Sequence, residues 1–391
     1  MSIPYGKQNV NEDDINAVIN VLKSDYLTQG PVVSKFEREV SVYTGAKHAV
    51  AVNSATSALH IACLALGVGS GDSVWTSAIT FVASANCALY CGADIDFVDI
   101  DSNTYNISVN ALEDKLKRAK LDNKLPKVVI PVHMGGQSCD MKEIHSLSLR
   151  YGFKIIEDAS HAIGAKYMDT SVGGCSYSDI TVFSFHPVKI ITTGEGGMAM
   201  TNNAELYNIM NRLRSHGITR DHSEMESLSD GPWYYQQIDL GFNYRMTDLQ
   251  AALGGSQLKR LDKFIKQRHV LSENYTQLLS DFPVRLPYNN PKCYSSYHLY
   301  IIRVPYSDSK FNRNTVFERL RSNGIMANVH YIPLYRQPYY SKFNFDINLF
   351  PNSERYYSEA ISIPMFPNLT KKEQFFIAEV LGKPEGYQAL F

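Results

Sequence analysis

The chain has 391 residues, and its 38 Lys and Arg nearly balance its 39 Asp and Glu, for a formal net charge of −1. With no basic block or stripe, nucleic acid is excluded as an expected partner, and no apolar run approaches the ~18 residues that span a bilayer. The opening Met-Ser-Ile-Pro-Tyr-Gly-Lys lacks a signal peptide's apolar stretch, and the six cysteines are scattered, as expected for reduced thiols in a cytoplasmic protein.

In chain order, an arm holding Tyr5-Gly-Lys7 precedes a helix over 11–24, whose Asp13 and Asp14 suit the positive end of its dipole. A polar turn, Asp25-Tyr-Leu-Thr-Gln-Gly-Pro31, leads to a helix over 32–44 that closes at Gly45. Strand and helix signals then alternate. Strand-like runs fall at 49–52, 73–76, 95–99, 127–132 and 153–158, and the first is followed by a helix that Ser54 caps. Runs at 179–185 and 197–201 bring the count to seven. Short β-branched runs separated by helices predict an α/β fold with a seven-stranded, mainly parallel sheet between helices.

Beyond about residue 201 the texture changes. Residues 241–253 read as a loop entering a helix, continuing as one long connector to about residue 279. The remainder predicts a smaller α+β unit, with strands near 299–304 and 325–330 and helices near 314–323, 353–361 and 371–381. The expected division is a large domain with its N-terminal arm over 1–250 and a small C-terminal domain over 251–391.

Two motifs are set aside. Gly67-Val-Gly-Ser-Gly71 resembles a dinucleotide fingerprint, but it follows a helix and precedes a strand, the reverse of the required order. Cys87 and Cys91 share a helix face with no His or Cys at metal-ligand spacing, so no metal is expected.

The chemistry centres on Phe183-Ser-Phe-His-Pro-Val-Lys189-Ile-Ile-Thr-Thr-Gly-Glu-Gly-Gly197. Proline stops the strand, and Lys189 sits on the loop just beyond it. A lysine between two buried strands is partly desolvated, which frees its amine as a nucleophile towards carbonyls. Four features lie at probable strand ends of the same sheet. Ser54-Ala55-Thr56 opens a helix, where free N–H groups favour an anion such as phosphate. Phe81 offers a stacking face, Asp158 a carboxylate at a strand end, and Ser184 a hydroxyl beside Lys189. Singly, these read as a helix cap, a core aromatic, a structural ion pair and a strand hydroxyl. Together they match pyridoxal 5′-phosphate, which needs an anion hole, a ring contact, an acid for its pyridine nitrogen and an amine for its aldehyde.

The motifs Leu27-Thr-Gln-Gly-Pro31, Asn53-Ser-Ala-Thr56, Thr80-Phe-Val-Ala83, Glu157-Asp-Ala-Ser-His161, Ser184-Phe-His-Pro-Val-Lys189, Thr193-Gly-Glu-Gly-Gly197 and Gly241-Phe-Asn-Tyr-Arg-Met-Thr-Asp248 cover nearly the whole chain. This set resembles the DegT/StrS sugar aminotransferases, pyridoxal-phosphate enzymes of fold type I. The resemblance implies that Lys189 is the Schiff-base lysine, catalytic in proton transfer, and that Asp158 partners the ring nitrogen. It places His161 near the cofactor's phenolic oxygen, Ser54, Ala55, Thr56 and Ser184 at the phosphate, and Phe81 on the ring. Asn243 would reach the phosphate of a neighbouring subunit, making a homodimer with a shared active site. Pyridoxamine phosphate would be the half-reaction form and L-glutamate the donor.

Within the family, the segments Tyr5-Gly-Lys7, Leu213-Arg-Ser-His-Gly-Ile-Thr-Arg220 and Val329-His-Tyr-Ile-Pro333 resemble the branch that acts on UDP-linked 4-keto-6-deoxy-2-acetamido sugars in pseudaminic acid biosynthesis. The substrate contacts this implies are Tyr5, Tyr26, Leu27, Thr28, Gln29, Ala55, Ser184, Asn243, Asn328, Val329, His330 and Tyr331. Another UDP- or dTDP-linked 4-keto sugar is the alternative substrate. A sugar dehydratase is the alternative reaction, disfavoured because that branch replaces the lysine with histidine.

Overall fold

The computed structural model describes residues 2–305 and 310–382, so the last part of the expected C-terminal unit, 383–391, lies outside the described residues. Its centre is a seven-stranded sheet of β1 (His48–Val52), β2 (Ser73–Ser77), β3 (Asp94–Val98), β4 (Val128–Ile130), β5 (Lys154–Asp158), β6 (Ile180–Ser184) and β7 (Gly197–Thr201). The spatial order is β1-β7-β6-β5-β4-β2-β3, and only β7 runs antiparallel to its neighbours. These are the seven runs expected from sequence. Most of their side chains are buried, because helices cover both faces.

On one face the helices Ala55–Ala65, Ala83–Tyr90 and Ala204–Leu213 pack around Leu59, Ile61, Ala85 and Met210. On the other, the helices Pro31–Thr44 and Asp248–Leu258 close over Phe36, Phe183, Phe185 and Met198. Helices Val109–Leu121 and Met141–Tyr151 cover the far end of that face. A further core joins Ile3 of the arm to Tyr275, Tyr300, Ile361 and Ile377, around a two-stranded sheet of β8 (Tyr300–Arg303) and β9 (Ala360–Ile363).

Three expectations change. The single long connector is two helices, Asp248–Leu258 and Leu261–Leu278. They break at Arg260, whose guanidinium reaches back to Asn9 (2.8 Å) and to the buried Asp14 carboxylate. Residues 325–330 form no ladder strand; they make single bridges from Ile325 to Ile3 and from Asn328 to Ser362. The helix expected over 353–361 is Pro351–Glu359, and Ile361 belongs to β9, opposite Ile302.

Candidate active site

The strand register brings the chemistry-bearing residues to one end of the sheet. Asp158 ends β5 opposite Val182 of β6, Ser184 ends β6 opposite Gly197, and Gly197 faces Val52 at the end of β1. Three residues past Val52, the helix Ala55–Ala65 begins.

Its N-terminus is shaped for an anion. Ser54 caps the helix by accepting from Ser57 N (3.1 Å) and pairing with Ser57 Oγ (2.9 Å). The Ser54 hydroxyl is therefore engaged within the turn. The Ala55 and Thr56 amides have no partner among the described residues, and both residues are partly exposed. These amides and the helix dipole form the anion hole. Gly197 presses against them: a Cβ there would lie 2.5 Å from Ala55 N and 2.6 Å from Ser54 O. Ser184 is buried nearby, its Oγ accepting from His186 N at 3.4 Å.

Lys189 follows on the loop, partly buried. Burial pushes its pKa down to about 8, while the Asp158 carboxylate pulls in the opposite direction. Asp158 is buried, and its Oδ2 accepts from Ser84 Oγ at 2.6 Å, with Thr80 Oγ1 2.8 Å behind Ser84. Its Oδ1 accepts from Ser160 N at 3.1 Å. A buried carboxylate so oriented, with a nearby ammonium, is suited to hold a protonated ring nitrogen. Phe81 is 55 % exposed, so its ring face is open to a flat ligand.

His161 is buried, with Gly135 N donating to its Nδ1 at 3.3 Å and Tyr331 Oη 3.1 Å from its Nε2. Burial and then the Lys189 charge hold its pKa well below the usual histidine range. The same two causes push His330 down to about 3. Tyr5 packs against His330 with ring centroids 5.4 Å apart and the rings tilted at 52°, so the arm meets the 328–331 segment, whose His330 feels the Lys189 charge.

The other expected contacts belong to the loops around Leu27 and Asn243. Gly30 N, Val32 N and Val33 N donate to the Asp248 carboxylate at 2.8, 2.8 and 3.2 Å, and Asp248 N donates to Leu27 O. The two motifs around Leu27 and Asp248 thus form one knot. It holds Tyr26 and Leu27 exposed, and puts Gln29 on a cavity of about 480 Å³ shared with Arg212, Arg214, Arg220 and Arg245. Asn243 is exposed, its carbonyl 3.5 Å from Asn53 Nδ2. Sequence reasoning missed Ser84, Thr80 and Gly135; the first two were visible as hydroxyls one helical turn apart after β2.

A lysine, a carboxylate, an open aromatic face and an anion hole at the strand ends define a fold type I pyridoxal-phosphate enzyme, and the cofactor is pyridoxal 5′-phosphate. The chain belongs to the DegT/DnrJ/EryC1/StrS aminotransferase family, whose model matches residues 8–381. It is 38% identical over 383 residues to the UDP-4-amino-4,6-dideoxy-N-acetyl-beta-L-altrosamine transaminase of Campylobacter jejuni, covering 97% of this chain and 96% of that one. Helicobacter pylori PseC, an aminotransferase of pseudaminic acid biosynthesis, superposes with TM-score 0.88 at 33% identity, covering 97% of this chain and 98% of that one. Spr1654 of Streptococcus pneumoniae, in its PMP form, superposes with TM-score 0.88 at 30% identity over 97% of this chain and 98% of that one.

Proposed function

We propose that this chain is a cytoplasmic sugar aminotransferase that moves an amino group from L-glutamate to C4 of a nucleotide-linked 4-keto-6-deoxy sugar. The substrate that fits best is UDP-2-acetamido-2,6-dideoxy-beta-L-arabino-hex-4-ulose, in pseudaminic acid biosynthesis. The observation that carries the reaction class is Lys189 within the field of the Asp158 carboxylate, at the same end of the sheet as the open Ala55 and Thr56 amides. The sugar is supported by the two relatives named for that pathway. No helix among the described residues is long and apolar enough to cross a membrane.

The residues divide the work. The Ala55 and Thr56 amides and Ser184 Oγ hold the cofactor phosphate, Phe81 covers a ring face, and Asp158, oriented by Ser84, keeps the ring nitrogen protonated. When bound, pyridoxal phosphate supplies an aldehyde to carry the amine and a ring that accepts electrons from a carbanion. Lys189 Nζ, its pKa lowered to about 8, is neutral often enough near pH 7 to hold that aldehyde. Once displaced, it takes the α-proton of glutamate, and later gives a proton to C4 of the sugar. General acid–base transfer of this kind contributes ~10²–10⁴-fold. The side from which Nζ delivers the proton fixes the configuration at C4.

In the proposed homodimer, the exposed Tyr26–Gln29 segment and Asn243 complete the neighbour's site. The proposed division is a cofactor domain over 1–250 and a small domain over 251–391 that brings Asn328–Tyr331 to the site mouth. Pyridoxamine-loaded protein offered a panel of UDP- and dTDP-linked 4-keto sugars, with products read by NMR, tests the substrate. A new 4-amine on the UDP-linked acetamido sugar alone supports it. Amination of only a dTDP sugar, or elimination without a new amine, sinks it.

A further inference from the structure

Tyr331 is fixed from several directions. Asn328 and Ser362 exchange backbone hydrogen bonds at 3.0 and 2.8 Å, and His330 Nδ1 meets Ser362 Oγ at 2.8 Å. The Tyr356 hydroxyl donates to the His330 carbonyl. At its tip, the Tyr331 phenol lies 3.1 Å from His161 Nε2, with the ring of Phe81 6.1 Å away.

The hydrogen-bond directions follow from His161. Gly135 N–H donates to His161 Nδ1, so Nδ1 carries no proton. The imidazole is then neutral and its one hydrogen is on Nε2, which agrees with the effect of burial on this ring. Nε2–H therefore donates to Tyr331 Oη. The phenol's own hydrogen is left over, with no acceptor among the described residues.

The backbone behind this pair is hydrogen-bonded from the far side. Ser296 Oγ donates to the His161 carbonyl at 2.7 Å, and Ser296 N to the Gly136 carbonyl at 3.0 Å. The His298 ring sits 4.4 Å from that of His161. Arg268, buried and with no carboxylate partner among the described residues, donates to the carbonyls of Tyr297 and His298 at 3.0 and 3.2 Å.

We infer that Tyr331, its hydroxyl turned by the Gly135–His161 pair, is the hydrogen-bond donor to an oxygen acceptor at the reacting end of the site. Two oxygens have this chemistry: the cofactor's phenolic oxygen and the oxygen on the sugar's reacting carbon. The resemblance places His161 near the cofactor's phenolic oxygen, but its only N–H is already engaged by Tyr331, so the free donor of the pair is the Tyr331 hydroxyl. The sugar arm rests on the proposed substrate; the cofactor arm does not.

The test is Tyr331→Phe, which removes one oxygen and little volume, studied as holoenzyme. In the cofactor arm, the visible absorbance of bound cofactor is titrated against pH, and a donor to the phenolic oxygen shows as a midpoint moved by at least ~0.5 unit in the variant. In the sugar arm, pyridoxamine-loaded wild type and variant are titrated with a UDP-linked N-acetyl-6-deoxyhexosamine bearing a 4-hydroxyl and with its 4-deoxy counterpart. A donor to that oxygen gives the wild type about tenfold preference for the hydroxylated sugar, falling below about twofold in the variant. A response in either arm supports the inference and identifies the oxygen. If the absorbance midpoint stays put and the variant discriminates between the sugars as the wild type does, the inference is overturned. If the wild type binds neither sugar, the proposed substrate falls and the absorbance titration alone decides on Tyr331.

Discussion

Replacing Gly197 with alanine tests whether the start of the helix Ala55–Ala65 is the phosphate site. Gly197 is absent from the positive-φ positions, so alanine suits its backbone. The obstacle is contact. The new Cβ would lie 2.5 Å from Ala55 N and from Ser54 C, about 0.9 Å inside the 3.4 Å of ordinary contact. Both obstructing atoms are backbone, so no side chain can rotate away, and β7 and the helix start must separate. Overpacking of this kind costs roughly 1–3 kcal/mol of stability. It also tilts the Ala55 and Thr56 amides. Loss of one amide bond to a charged phosphate costs roughly 1.5–3 kcal/mol, or about 10–150-fold in cofactor Kd. Cofactor is titrated into apo wild type and Gly197→Ala by absorbance, and the apo proteins are compared by thermal unfolding. A variant with a lowered unfolding midpoint but wild-type Kd would show that these amides do not hold the phosphate, and wild-type values for both would refute the contact argument itself.

Lys189→Ala should fold, lose the visible absorbance of bound cofactor and fall below measurable turnover; wild-type turnover would remove Lys189 from the mechanism. Because burial depresses the Lys189 pKa to about 8, cofactor capture by apo wild type should rise with pH and level off above about 8; a rate still climbing past pH 10 would mark an ordinary solvated lysine. Asp158→Ala should weaken cofactor binding and lower turnover at least ~10²-fold, and full retention of both would dismiss the ring-nitrogen role. Asp248→Ala leaves three N–H groups at the start of the helix Pro31–Thr44 without their acceptor, and should cost about 1–2 kcal/mol by chemical denaturation. An unchanged midpoint would mean that water replaces the cap.

The sheet was legible because its strands are short β-branched runs bounded by turn residues, a pattern no surface helix produces. Lys189 and Asp158 were legible for a related reason, since a charged side chain ending an apolar strand needs a partner or a purpose. Other features depend on distant partners. Gly197 shows only permissiveness in the sequence; that it makes room for the Ala55 amide depends on the β1–β7 pairing. Arg260 fits a helix interior, and only its pull towards Asp14 and Asn9 breaks the connector. Residues 353–361 run on in helical pattern, yet Ala360 and Ile361 are taken up by β9, whose ladder with β8 outweighs local preference. The His161 ring could be placed near the cofactor from its motif, but which nitrogen carries its hydrogen depends on Gly135, 26 residues earlier.

The Asp248 cap carries a consequence for biosynthesis. The helix that starts at Pro31 receives its terminal acceptor from a residue 216 positions downstream of Val32. At ~5–20 residues per second, a ribosome needs roughly 10–40 s to cover that interval. Through that time the emerging N-terminal segment has an unfinished first turn, and the Leu27–Gln29 loop lacks its anchor. The nascent chain can complete its seven-stranded sheet once β7 has emerged, but it cannot tie off its amino end until the helix Asp248–Leu258 has been translated.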